Sequence, residues 1–149
     1  MFKFFKEISF EEKVKYAKDF KKNECVLIKD ILTPEAIEYF KQNMVFEDHW
    51  INDEDQFCRR MTGKDSHPYI KLFHTVTLKF MQDILGPEFH DTYAFGMEYI
   101  KGSELHPHLD LIQNEVSATL CYEANKDYPI YVDKNRTPNN ERLRITNMN

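Results

Sequence analysis

Apolar positions along the chain first recur at helical spacing and later alternate. Phe10, Val14, Ala17 and Phe20 share one helical face, with lysines on the other. Ser9 followed three residues later by Glu12 is a capping-box signature, so the pattern predicts a helix that runs to about Lys22. Cys25, Val26, Leu27 and Ile28 form a short β-like run. Thr33 then reads as an N-cap and Pro34 as the first helical position of a second helix, with Ile37, Phe40 and Met44 as its buried stripe. Asp65 or Ser66 caps a third helix, which carries Ile70, Phe73, Val76 or Thr77, Phe80, Met81 and Ile84 on its apolar side and stops at Gly86-Pro87. Residues 46–66 show no period and read as a long loop, of the kind that can cover a substrate.

From residue 93 the period changes to two. Tyr93, Phe95, Met97 and Tyr99 fall on one face and Ala94, Gly96, Glu98 and Ile100 on the other, which predicts a strand over residues 93–100. Residues 115–122 alternate again, with Val116, Ala118, Leu120 and Tyr122 as the packing face. Residues 128–132 read as a last short strand, and residues 134–149, rich in Asn, read as a polar tail. The pattern is that of an α+β domain over residues 1–133, helices first and sheet afterwards.

Composition narrows the reading. A chain of 149 residues with 42% hydrophobic and 14% aromatic content suits one domain with a real core. A formal net charge of -5, with the basic residues dispersed, gives no general affinity for nucleic acid or an anionic membrane. No apolar run approaches a membrane span, and the aromatic and lysine alternation of residues 1–6 is too short for a signal segment. Cys25, Cys58 and Cys121 are widely spaced without zinc-ligand spacing, which suits free thiols in a reducing compartment. These features together place the expected protein in the cytoplasm. With only four glycines, the chain has no phosphate-binding loop.

The chemistry is concentrated in residues 99–110, Tyr-Ile-Lys-Gly-Ser-Glu-Leu-His-Pro-His-Leu-Asp. His108 and Asp110 are separated by one residue, so in extended backbone both side chains can reach one cation. An imidazole beside a carboxylate is two-thirds of the facial triad that holds non-haem Fe(II). His106 shares the parity of the pair, but about 13 Å of extended chain separates it from Asp110 and makes it a neighbour of the site rather than a ligand. His67 and His74 belong by position to the third helix, two turns apart, and His49 lies in the loop.

Tyr99 and Gly102, then His108 and Asp110, then Ser117 and Thr119, then Tyr128 with Pro129, follow the order of motifs in the prolyl-hydroxylase-like branch of the Fe(II)/2-oxoglutarate-dependent dioxygenases, which residues 93–133 resemble. The resemblance implies N-terminal helices packed on a double-stranded β-helix of the jelly-roll or cupin-like kind. It also implies iron held by His108 and Asp110, and 2-oxoglutarate held in part by Tyr99. Fe(II) and 2-oxoglutarate would be the cofactors, with ascorbate as an accessory reductant. O2 would oxidise the keto acid to succinate and CO2 while a peptide, protein or small-molecule substrate is hydroxylated. The family's distal His, and the Arg that follows it, have no counterpart here, because no His follows His108 and none of Arg136, Arg142 and Arg144 follows a His. The expected β-helix is therefore partial, incomplete in its C-terminal half, with a sheet edge to be covered by self-association or by a partner chain. The alternative expectation is a non-catalytic remnant, acting as an interaction module or as half of a split enzyme. A small zinc or nickel protein using His106, His108 and Asp110 is a third reading.

Overall fold

A computed structural model describes residues 3–43, 50–53, 58–61, 68–99, 101, 103, 108–111, 113–124, 130–132 and 143–145. Helix α1 spans Phe10–Asn23 and is closed at its start by the expected capping box: Glu12 N–H donates to Ser9 Oγ at 3.2 Å and Ser9 N–H donates to Glu12 Oε2 at 2.8 Å. It ends on Glu24, which takes a left-handed φ of 59° and whose N–H donates to the Phe20 carbonyl at 2.7 Å. Val14, Ala17 and Phe20 are half-buried, but Phe10 is 76% exposed. As the first helical residue, Phe10 sits beside the cap, beyond the turns that carry the apolar stripe.

Helix α2 spans Pro34–Asn43. Thr33 Oγ1 accepts from Ala36 N–H at 3.1 Å, as an N-cap should, and donates to the Lys3 carbonyl at 2.7 Å. That second bond ties the cap to the N-terminal segment. Lys6 N–H donates to Ile31 O and Thr33 N–H to Phe4 O, so Phe5 and Leu32 form an antiparallel bridge. The β-like run at residues 25–28 is not a strand. The sheet-type pairing falls instead on Leu32, and its partner is the aromatic N-terminal segment.

Helix α3 spans Pro68–Leu85, and its cap, expected at Asp65 or Ser66, lies outside the described residues. Ile70 is buried, and Phe73, Val76, Thr77, Phe80, Met81 and Ile84 are half-buried along the expected face. Gly86 terminates the helix with a φ of 137°, which an L side chain rarely adopts, and its N–H donates to Gln82 O at 3.1 Å. Lys13 of α1 pairs with Asp83 of α3, and the ring of Phe5 stacks on Phe80 at 4.4 Å.

The core is centred on Phe40. Phe4, Leu32, Ala36, Phe40 and Ile70 are buried together, with Tyr39, Phe73, Leu120 and Tyr122 packed around them. Phe40 meets Phe4 at 5.6 Å, Phe73 edge-on at 5.4 Å and Tyr122 at 5.4 Å between ring centroids. The N-terminal segment, two helices and residues 120–122 are thus held by one aromatic cluster.

Three short strands form an antiparallel sheet in the order β1 (Trp50–Asp53), β2 (Cys58–Met61) and β3 (Gly96–Glu98). Trp50 pairs with Met61 and Asp53 with Cys58, while Arg59 pairs with Glu98 and Met61 with Gly96. Residues 46–66 therefore contain a hairpin where the sequence pattern predicts a loop. Of the expected strand over residues 93–100, the described residues that pair are Gly96–Glu98, against β2. Residues 117–124 run without turn or bend but join no ladder, although Leu120 and Tyr122 pack inward as expected. A two-stranded antiparallel pair joins β4 (Ile130–Val132) to β5 (Leu143–Ile145), with Tyr131 opposite Arg144. Residues 143–145 belong to the stretch that composition describes as a polar tail. Met44, His49, His67, Gly102, His106, Tyr128, Pro129, Arg136 and Arg142 lie outside the described residues.

Candidate functional site

His108 and Asp110 sit in residues 108–111, which form no strand, yet their side chains meet: His108 Nε2 lies 3.6 Å from Asp110 Oδ1. One residue, Leu109, separates the two along the chain, and its side chain is 69% exposed. Both members of the pair are open to water, the His108 side chain at 52% and that of Asp110 at 43%.

Two short-range features shape the carboxylate. Asn114 N–H donates to Leu111 O at 2.8 Å and closes a turn directly after the pair. The chain then brings Ser117 back, and Ser117 Oγ donates to Asp110 Oδ2. One carboxylate oxygen is thereby occupied by a hydroxyl and the other is turned toward His108. The turn is anchored in its turn, since Asn114 Nδ2 donates to the Tyr93 hydroxyl at 2.8 Å and the rings of Tyr93 and Phe95 stack at 5.9 Å. The sequence pattern places Ser117 on a neighbouring strand, whereas its hydroxyl bonds Asp110, and a serine seven residues from a carboxylate across a turn is the local signal of that bond.

A divalent first-row cation at about 2.1 Å from each of two donors at right angles separates them by about 3 Å. The 3.6 Å between His108 Nε2 and Asp110 Oδ1 needs only a small side-chain adjustment to meet that requirement. The two donors therefore fit a shared cation. Among the described residues no group of three or more His, Cys, Asp and Glu side chains is placed to hold one.

Tyr99 follows β3 and is 37% exposed. Thr119 is exposed. Glu123, which falls in the same alternate row as Thr119, lies 3.6 Å from Lys41 Nζ of α2, so its charge has a cationic neighbour. His74 faces Asp91 across 4.0 Å, a contact between α3 and the segment that follows it. Burial raises the Tyr122 hydroxyl above its usual range, reinforced by the negative charges of Glu123 and Glu98. Burial also pushes up the Cys121 thiol, which donates to Glu123 O. Cys121 and Tyr122 line a cavity of about 280 Å³ between residues 120–124 and residues 28–37, walled by Ile28, Ile31, Leu32 and Ile37.

No helix among the described residues is long and apolar enough to cross a membrane. Comparison of the chain with protein-family models, with curated proteins and with solved structures finds no match in any of the three.

Proposed function

We propose that the chain is a protein of the Fe(II)/2-oxoglutarate dioxygenase type, a partial double-stranded β-helix with helices packed against it, in which His108 and Asp110 are iron ligands and Tyr99 faces 2-oxoglutarate. The observation that supports it is the convergence of His108 Nε2 and Asp110 Oδ1 to 3.6 Å on an exposed segment, with the second carboxylate oxygen taken by Ser117. Iron and 2-oxoglutarate, when bound, would supply a reaction with O2 in which one oxygen atom enters succinate as the keto acid loses CO2 and the other hydroxylates a substrate C–H bond.

The chain's own residues prepare that site. Ser117 holds Asp110 in one orientation, so the carboxylate binds through Oδ1 and spends little rotamer freedom on ligation. His108 ligates through Nε2, the nitrogen nearer the carboxylate. The Tyr99 hydroxyl is a donor of the kind that a carboxylate accepts. The substrate class remains a peptide, protein or small molecule.

A non-catalytic interaction module is the second reading. The observation that favours it is the lack, among the described residues, of a third metal-ligating side chain beside the pair. Anaerobic titration of the purified chain with Fe(II) and 2-oxoglutarate separates the two. A saturable visible charge-transfer band that disappears in His108→Ala supports the dioxygenase reading, and the absence of any band assigns the chain to the second.

A further inference from the structure

Residues 117–124 are an eight-residue run without turn or bend. Among the described residues, none of their main-chain N–H or C=O groups joins a backbone hydrogen bond, and the Glu123 carbonyl accepts from Cys121 Sγ. The run is nevertheless anchored, because Leu120 and Tyr122 pack against the aromatic core while Ser117, Ala118, Thr119, Glu123 and Ala124 are exposed. Along residues 120–124 it borders the 280 Å³ cavity rather than a neighbouring strand. An extended segment held by its side chains with its main chain unpaired is a template for strand addition.

We infer that this edge pairs with the same edge of a second copy of the chain, antiparallel about a two-fold axis at Leu120. The occupant follows from the side chains. A second copy that keeps its Leu120 and Tyr122 row on the same side of the sheet can place the axis at Thr119, Leu120 or Cys121. An axis at Thr119 sets Glu115 opposite Glu123 of the second copy, two like charges in a cross-strand pair. An axis at Cys121 sets bulky Leu120 opposite bulky Tyr122 on both sides. An axis at Leu120 sets Ala118 opposite Tyr122 and Val116 opposite Ala124, small against large, with no like-charge pair in the row. The edge is self-complementary in that register. A single added strand on each copy is a small interface, so the association is concentration-dependent. This inference does not depend on the metal-site reading, and its test uses no iron.

The test is sedimentation velocity on the full chain over a hundredfold range of concentration, together with two probes of register. Wild type is expected to shift from monomer to dimer. Thr119→Pro removes one main-chain donor that has no partner among the described residues, so the dimer is lost while circular dichroism and thermal unfolding of the monomer are retained. Ala118→Lys, at an exposed position, gives the same loss without altering the main chain. In a Cys25→Ser, Cys58→Ser background, Thr119→Cys faces Cys121 of the second copy, and mild oxidation is expected to yield at least tenfold more covalent dimer than the background protein. A single monomeric species at every concentration overturns the inference, as does a dimer that survives both Thr119→Pro and Ala118→Lys. Equal covalent dimer with and without Thr119→Cys overturns the register.

Discussion

Tyr122 shows how one side chain can serve the core and carry a pH dependence. Its ring packs on Phe40, while its hydroxyl is raised above the ordinary value of 10.0 by burial and by the nearby charges of Glu123 and Glu98. The folded state thus favours the neutral phenol. Stability from this group is complete below the unfolded pKa and declines as pH rises from there toward the raised folded value, because the unfolded chain ionises first. Chemical denaturation at several pH values is expected to show stability falling above about pH 10, with a shallower fall in Tyr122→Phe. An identical alkaline slope in the two proteins would place the effect elsewhere, Tyr39 being a second phenol that burial raises among the described residues. The same scale holds the candidate site. His108 and Asp110 were legible in the sequence because one intervening residue is enough to align two side chains, and they do meet. The Ser117 bond was not, because it depends on a turn set by Asn114, and nothing local marks that asparagine as a turn residue held by Tyr93.

The helices were legible because their signals are local. Ser9 and Glu12, Thr33 and Pro34, and Gly86 with Pro87 each act within one turn of the residue they cap, so neither distant packing nor register enters. The strands were not, and β1 and β2 show why. The sequence of residues 50–53, Trp-Ile-Asn-Asp, and that of residues 58–61, Cys-Arg-Arg-Met, alternate in no consistent way, and their pairing rests on main-chain hydrogen bonds to a partner strand. Conversely, residues 115–122 alternate clearly in sequence, and Leu120 and Tyr122 of the expected inward row pack on the core, but Ala118 of that row is exposed and no partner strand among the described residues completes the ladder. Periodicity reports which side faces the core; it does not report whether a neighbour exists. Thr33 carries more than its position predicts, since its hydroxyl both caps α2 and donates to Lys3 O. Thr33→Ala is expected to cost about 1–2 kcal/mol, at the upper end for a cap. Thr33→Ser, which keeps both bonds, should restore most of it in the same urea titration.

Taken whole, the molecule is held by a cluster whose members are far apart in the chain: Phe4, Leu32, Ala36, Phe40 and Ile70, with Tyr122 against Phe40. The aromatic and lysine alternation of residues 1–6 carries no obvious meaning in the sequence, and in the structure Phe4 is buried in the core. Phe4→Ala is expected to cost about 3–5 kcal/mol by removing the ring from its contacts with Tyr39 and Phe40. That is a large share of the roughly 5–15 kcal/mol that holds an ordinary domain. Calorimetry should therefore find a marked fall in the unfolding temperature, whereas replacing the exposed Phe10 by Ala should leave it nearly unchanged.

The contact between Phe40 and Tyr122 also has a consequence for synthesis. A ribosome releases this chain from its N-terminus, so α1, α2 and the Phe5–Leu32 bridge can form while most of the sequence is still being made. The ring of Phe40 then waits, uncovered on one side, until residue 122 has cleared the exit tunnel. Closing so long a loop is slow compared with forming a helix. The nascent chain passes through a stage in which the face of Phe40 that Tyr122 covers is exposed, and that stage is when a chaperone has most to hold.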